Sequence, residues 1–589
     1  MQLRSLVRLL AFAPHFARSS AKLTCKCLAG AACFPDASTL NAFSANLSHP
    51  LITGQRPPAS VCYPDDPDYD TSACSIAVAN DGNPTYLASK INALQYTNFQ
   101  ALINSTTVED CPYDVQPGAT CFQGRVPPYA VNATTVSDVQ ATLRFASQHN
   151  LRLVVRNSGH ELMGRAFGVG ALELFMHNFD TMQFSDNFIP VGAPKNTPGQ
   201  YAVALGAGVQ WGEVFASADQ HNRSIAGGLA PGGTVGAAGG WTLGAGHSVL
   251  SPFYGLGVDN ALQFFVVLPN SSFIIANKYQ NTDIFWALRG GGGPSFGVVV
   301  STTVRTHPNL PYTVAFYTAT GNSSSAYTQL LEVWMQQHNA ISDAGWSGVW
   351  PFLNNTLYLT FFTQGVPPTS HTANATMEHF FAASKKIPGV DVSLAISHPY
   401  PSFQAWNEDN LVDSSKGFGF NFSALAPGAP RMAYSSWLMP RQLTTPTNAK
   451  TLAKIISNIT VGLPFFVGGG AVSKVDPDDS AVTPAWRTTI SDMNIVPSFA
   501  AGPDVDIRDV QKTAFDQIDP IRKLAPPPTG GQYLNEPDIL EVDWQQAYWG
   551  RHYPRLLAIK KTIDPLDLLI VRKGVNSEDW DDEITCKTA

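Results

Sequence analysis

Residues 227–246 read GGLAPGGTVGAAGGWTLGAG, nine glycines in twenty positions, against roughly 7% in ordinary globular chains. A backbone without Cβ atoms reaches positive φ and brings its N–H groups close to a ligand. Successive N–H groups in such a conformation form an anion-binding concavity, which suits a pyrophosphate. Upstream of this run the chain carries Arg156-Asn157-Ser158-Gly159-His160, a polar loop that offers an imidazole. Neither common phosphate fingerprint is present: there is no Gly-x-x-x-x-Gly-Lys-Ser/Thr, and no strand–GxGxxG–helix unit with a later acidic ribose ligand. A conventional nicotinamide site is therefore not expected. Several separate glycine loops imply an extended cofactor cradled along its length by backbone.

The elements that must hold these loops are legible as α+β. Ser137-Asp138-Val139-Gln140 reads as a capping box opening a helix with Val139, Leu143 and Ala146 on one face. The β-branched run 151–155 then delivers Asn157 to His160 into a loop. A strand at 201–205 turns through Gly206-Ala207-Gly208 into a helix carrying Trp211, Val214, Phe215 and Ala218. Residues 262–268 and 273–276 read as a hairpin, followed by a short helix at 283–289, four glycines (Gly290 to Gly293) and a strand at 296–304. From about residue 312 to 528, strand-like runs (312–318, 357–363) alternate with helical ones (326–338), as in an antiparallel sheet with helices on one side. The Pro-rich 524–528 reads as a linker before a last piece that holds Tyr533-Leu534-Asn535-Glu536 and a helix at 553–562 halted by Pro565. No internal repeat is found.

The 589 residues suggest two to four domains or subdomains. A net charge of −8 argues against a nucleic-acid or anionic-membrane partner, and no stretch approaches the roughly 18 apolar residues of a membrane span. Residues 1–21 form a candidate signal peptide, with Arg4 and Arg8 before Leu-Leu-Ala-Phe-Ala, although Arg8, Pro14 and His15 interrupt the apolar segment. Seven of the eight cysteines (Cys25, Cys27, Cys33, Cys62, Cys74, Cys111, Cys121) precede residue 122, with Cys586 near the end. That clustering reads as disulfides rather than zinc ligands, with Cys111 and Cys121 placed to close a short loop and the other pairings open. No metal site is expected. Sequons begin at Asn46, Asn104, Asn132, Asn222, Asn270, Asn322, Asn354, Asn374, Asn421 and Asn458. Together these features favour a secreted protein or one of the secretory-pathway lumen over a cytosolic one with buried thiols.

The order of Arg156 to His160, Gly206-Ala207-Gly208, Gly232-Gly233-Thr234-Val235-Gly236, Tyr254 to Asp259, and Arg289 to Val298 resembles the berberine-bridge-enzyme-like FAD-linked oxidases of the vanillyl-alcohol oxidase and p-cresol methylhydroxylase flavoprotein superfamily. The likeness is to fungal, isoamyl-alcohol-oxidase-like members and covers roughly residues 22 to 583. The glycine motifs are specific in combination and weak singly. The resemblance implies an α+β fold: a two-lobed FAD-binding domain of the p-cresol methylhydroxylase type at 123–310, and a substrate domain with an antiparallel sheet and helices on one face at 311–528. A cysteine-rich irregular extension at 22–122 precedes them, and a berberine-bridge-like segment at 529–583 returns to the FAD domain.

The resemblance also implies roles. His160 would bond covalently to the isoalloxazine ring, with Arg156, Asn157, Ser158 and Gly159 in the same loop. Gly232, Gly233, Thr234, Val235 and Gly236 would offer N–H groups to the pyrophosphate, with Gly208 and Gly239 also binding the cofactor. Asp259 and Asn260 would lie near the adenosine half or serve as turn and cap residues, the backbone of Val298 or Val299 would lie near the adenine or ribityl region, and Asn535 by the flavin. A second covalent link, which many members make through a cysteine at the position of Gly232, is excluded because no cysteine occurs between Cys121 and Cys586. The family's Tyr-x-Asn-Tyr reads Tyr533-Leu534-Asn535-Glu536 here, so Tyr533 or a buried Glu536 is the expected base, with Tyr400 as a further candidate and Trp406 and Arg441 shaping the pocket. His177, His221 and His247 read as structural. The expected activity is oxidation of an alcohol, amine or related carbon of a small-molecule substrate, a secondary-metabolite intermediate, with oxygen as acceptor and hydrogen peroxide as product. The alternatives are a redox-neutral cyclase or isomerase on the same scaffold, a sugar or alcohol oxidase, or a secreted flavin-bearing binding or defence protein with no dedicated turnover. Oligomeric state is not legible.

Overall fold

The computed structural model describes residues 25–104, 107–115, 118–413, 415–420, 431–499 and 505–588. The candidate signal peptide and the Asn421 sequon lie outside them. The strand that leads to His160 is Leu153–Arg156, two residues later than the β-branched run suggests. It pairs in parallel with Leu172–Phe175, which pairs in parallel with Tyr129–Asn132. Ile52–Thr53, from the N-terminal extension, completes this four-stranded sheet.

The helix between them, Val136–Gln148, buries Val139, Leu143 and Ala146 as its periodicity requires. Its capping box begins at Thr135 instead of Ser137: Thr135 Oγ1 accepts from Asp138 N, and the Asp138 carboxylate accepts from Thr135 N. Asp138 at the third position does the work that the sequence reading gave to Gln140.

A second sheet of five antiparallel strands runs in the order Phe273–Asn277, Ala261–Val267, Val298–Arg305, Gln200–Gly206 and Met182–Phe188. The 262–276 hairpin is its edge. Met182–Phe188 is a strand that the sequence reading did not include.

The largest sheet has nine strands, all antiparallel, drawn from Tyr312–Gly321 to Thr489–Ile495. Its two faces are written into the alternation of Tyr312–Gly321. Tyr312, Val314 and Phe316 pack toward Val203, Leu205 and Trp211 of the preceding domain. Ala315, Tyr317 and Ala319 pack with residues of the helices Ser324–Asp343 and Ala373–Ser384. One face is thus covered by helices, and the other meets the five-stranded sheet, the helix Trp211–Gln220 and the glycine-rich run. Phe316 is fully buried at this seam, a burial worth ~1.5–3 kcal/mol.

All eight cysteines pair: Cys27–Cys33, Cys62–Cys74 and Cys111–Cys121 locally, and Cys25–Cys586 across the length of the chain. The Pro-rich 524–528 is not a loose tether. Ala525 is buried and its carbonyl accepts from Trp437 Nε1. The C-terminal segment packs back on the first domain, where buried Lys560 donates to Asp564 and to the carbonyls of Ser295 and Leu569. Among the described residues no helix is long and apolar enough to cross a membrane.

Candidate functional site

One cleft, with an empty volume of ≈ 1510 Å³, runs between the His160 loop, the glycine-rich run, Gly291 to Val299 and Tyr533 to Glu536. It is walled by four separate stretches of the chain and suits an elongated ligand. The strand Leu153–Arg156 is stopped by Asn157, whose Oδ1 accepts from Ser158 N and whose Nδ2 donates to Ala207 O. That folded-over amide lies against Gly236 and Gly239, where a Cβ would approach its Nδ2 to 2.3 and 2.9 Å. The glycines therefore let the His160 loop and the glycine-rich run touch.

His160 projects into the cleft with Nδ1 3.2 Å from Gln95 Oε1 and its ring edge-on to Tyr96. Burial lowers its pKa to about 4, against the opposing pull of the Glu536 charge, so the imidazole is neutral near pH 7.

Opposite it stands a polar cluster. Glu536 Oε1 lies 2.9 Å from His247 Nε2, Glu536 Oε2 accepts from Asn494 Nδ2 at 2.9 Å, and Ser436 Oγ donates to the Glu536 carbonyl. Asp492 is fully buried behind them with neither carboxylate oxygen hydrogen-bonded. Burial, then the Glu536 charge, pushes its pKa well above the ordinary carboxylate range, the direction that favours the neutral acid. Donor atoms of His247, Asp492 and Glu536 all lie within 4.8 Å of one another. Asp492 and Asn494 share a face because they are two apart on the strand Thr489–Ile495. Tyr533 is buried, its ring edge-on to His247, and its hydroxyl accepts from Asn535 Nδ2, which also donates to Gly240 O. Burial and Glu536 raise its pKa. This arrangement can hold and move a proton within one hydrogen-bond length of Glu536.

Twelve of the sequence-derived site residues border the cleft: Arg156, Asn157, Ser158, Gly159, His160, Val235, Gly236, Gly239, Val298, Tyr533, Asn535 and Glu536. Arg156 spends its charge elsewhere, in a fully buried pair with Glu173 at 2.7 Å and a bond to Lys90 O.

Nine others lie off the cleft wall. Gly208 is a close-packing position, where a Cβ would come within 1.8 Å of His177 O. Gly232 faces Pro84 and Thr85 of the extension, and Gly233 abuts Gly212. Thr234 turns its hydroxyl onto Gln95 Oε1 at 2.7 Å. Asp259 takes both Arg487 Nη1 and Nη2 at 2.8 Å and caps Leu256 N, and Asn260 bonds Tyr254 O, Leu256 O and His307. Tyr400 accepts from Asn410 within the aromatic core. Trp406 is in that core too, and Arg441 pairs with Asp343 at the surface.

The sequence reading missed His247, Asp492 and Gln95. His247 was read as structural, and the contact with Glu536 spans 289 positions. The one readable sign was the polar pair Asp492 and Asn494 on either side of Met493 in the strand Thr489–Ile495.

The cleft fits a flavin dinucleotide on its own features. A Cβ added at Gly240, on the wall, meets nothing within 4 Å, so the bare backbone faces open space. Buried Arg156 Nη1 and Arg165 Nη2 on the same wall have no protein partner among the described residues, leaving donors for a ligand rich in acceptors. Asn157, Gly236, Gly239, Val298 and Asn535 line the cleft and would hold such a ligand, with His160 on the same wall.

Comparison with known proteins agrees. Residues 127–277 match the FAD binding domain family and residues 532–576 the berberine and berberine-like family. An uncharacterized FAD-linked oxidoreductase of Arthroderma benhamiae is 32% identical over 96% of both chains. The crystal structure of the VAO-type flavoprotein MtVAO615 from Myceliophthora thermophila C1 superposes with a TM-score of 0.81 at 28% identity, covering 96% of this chain and 100% of that one. Glucooligosaccharide oxidase from Acremonium strictum, described with a 6-S-cysteinyl, 8α-N1-histidyl FAD, shares the fold at a TM-score of 0.60 and 18% identity over 76% of this chain and 91% of that one.

Proposed function

This chain belongs to the FAD-linked oxidoreductases, and from that premise we propose a secreted, singly linked flavoprotein oxidase acting on an alcohol, amine or related carbon of a small molecule. FAD, when bound, would supply the two-electron acceptor, with dioxygen as the terminal oxidant and hydrogen peroxide as the product. His160 is the attachment residue. The link is single because every cysteine is in a disulfide and Gly232 stands where relatives carry the second one. Thr234, Gly232, Gly233, Gly208 and Asp259 act at one remove, shaping the walls.

Glu536 is the base, and the observation that carries this is its position: a carboxylate on the cleft, held on one oxygen by His247 and on the other by Asn494. It takes the substrate hydroxyl or amine proton as the hydride equivalent leaves the neighbouring carbon. Tyr533, a neutral phenol, orients substrate. The neutral Asp492 behind it keeps a second negative charge away from Glu536. Four disulfides and the exposure of Asn46, Asn104, Asn222, Asn270, Asn322, Asn354, Asn374 and Asn458 support passage through the secretory pathway and glycosylation there. A secondary-metabolite intermediate is the substrate class proposed.

The test is anaerobic reduction of the purified yellow protein by alcohol- and amine-bearing metabolites, followed by admission of air. Glu536→Gln should slow flavin reduction by ~10²–10⁴-fold while Tyr533→Phe slows it less. Turnover without oxygen uptake would favour a redox-neutral cyclase or isomerase instead.

A further inference from the structure

We infer that Glu536 and the aromatic side chains around it form a cation subsite, so that the substrate meets the base as a protonated amine rather than as a neutral alcohol or sugar. This rests on the reading of the cleft as an oxidase site and narrows its substrate class. Glu536 and Asp492 bring two carboxylates together, and among the described residues neither pairs with a lysine or arginine. The Glu536 side chain is only 15% exposed, so water shields its charge poorly. Its ion-pair partner among the described residues is His247, and His247 does not cancel that charge. His247 Nε2 lies 2.9 Å from Glu536 Oε1, where its hydrogen serves the carboxylate, and Nδ1 is buried without a partner among the described residues. A proton on Nδ1 as well would be a buried N–H with no acceptor, a costly state. Burial, then Glu536, drives Asp492 toward its neutral form, so the cluster keeps one negative charge.

The arginines that border the cleft are engaged away from that charge. Arg156 pairs with Glu173, and Arg165 donates to Arg572 O and Leu534 O. A largely buried carboxylate without a counterion is costly, and a bound cation relieves it.

The walls suit the same ligand. Phe465 and Tyr533 border the cleft with Glu536, and both pack on the His247 ring, at 4.6 and 5.0 Å between centroids. Tyr96 and Tyr434 are half-buried, and Glu536 is the leading charge acting on both phenols, as it is on Tyr533. Burial and that charge raise all three tyrosines, which keeps them neutral and their rings and oxygens available. Three tyrosines and a phenylalanine around one carboxylate attract an ammonium group through ring quadrupole and ion pair together. A hydroxyl group gains only a hydrogen bond there.

The reaction of such a substrate balances. Glu536 takes one ammonium proton, the C–H on the neighbouring carbon leaves as hydride to the flavin acceptor, and the product is an iminium with the same single positive charge. The subsite therefore fits the ion at both ends of the step.

The experiment titrates FAD-loaded wild-type protein with (3-hydroxyphenyl)trimethylammonium and with its uncharged isostere 3-tert-butylphenol, at constant ionic strength, and follows the flavin absorbance. The two share one frame and differ by one charge, and neither has a C–H that can leave as hydride. The cation should bind at least about tenfold more tightly, although it is the less hydrophobic of the two. Glu536→Gln should remove most of that preference, and Tyr434→Leu should lower it several-fold with the carboxylate in place. Equal or tighter binding of 3-tert-butylphenol to wild type, or no binding of the cation at millimolar concentration, overturns the cation subsite and leaves the oxidase reading standing. A preference kept in full by both variants overturns its assignment to Glu536 and these rings. Failure of the oxidase reading shows separately, as a flavin that no amine or alcohol reduces anaerobically, because the binding preference is read without turnover.

Discussion

Asp492 is fully buried with no hydrogen-bond partner among the described residues, and that has a measurable signature in stability. Its folded pKa is raised, by burial and then by Glu536, above the ~3.9 of an unfolded aspartate. The folded state therefore binds this proton more tightly than the unfolded state. The stabilising contribution is present at low pH and is lost as pH rises from the unfolded pKa toward the folded one. Asp492→Asn removes the titration, so its melting temperature relative to wild type should climb between pH 4 and pH 8. A difference that shrinks over that range would show Asp492 to be charged in the fold. The residue types that carry the chemistry were readable in part. His160, Tyr533, Asn535 and Glu536 announce themselves through short motifs, whereas His247, Asp492 and Gln95 reach the site by contacts spanning far-apart stretches of chain, with no local spacing to betray them.

The elements were more legible than their assembly. The strand into His160, the 262–276 hairpin and the helix at 136–148 follow from local periodicity, with ends displaced by a residue or two. The nine-stranded sheet does not, because it incorporates two-residue strands such as Val461–Gly462 and Phe465–Phe466 that no window can recognise. The same limit applied to glycine: its density located the wall of the cleft, but not which glycines face the ligand and which face other backbone. Gly240 and Gly208 separate the two cases. Gly240→Leu should fold and lose bound FAD, read from visible absorbance per folded protein, because its side chain enters open cleft. Full FAD content would show that Gly240 does not contact the cofactor. Asp259 is an element-scale residue as well. With Arg487 it forms a buried bidentate pair between the short helix Gly257–Asn260 and the turn before Thr489–Ile495. Arg487→Met leaves a buried carboxylate unpaired and should cost ~3–5 kcal/mol by denaturant titration. A cost near zero would mean that Asp259 finds another partner or solvent.

At the scale of the whole molecule, the N- and C-terminal segments are working parts of the oxidoreductase. The extension brings Gln95 and Tyr96 to His160, the last segment brings Tyr533, Asn535 and Glu536, and Cys25–Cys586 ties one to the other across 561 positions. Cys586→Ser should lower stability by ~2–5 kcal/mol with the protein still folded at low denaturant, and an unchanged denaturation midpoint would deny the bridge a structural role. The central claim is that this assembly carries FAD covalently on His160. The most direct measurement is to precipitate wild-type and His160→Ala proteins with trichloroacetic acid and examine pellet and supernatant. The account predicts a yellow wild-type pellet whose flavin maps to the His160 peptide, and a colourless mutant pellet. A colourless wild-type pellet, or a yellow mutant one, would contradict it.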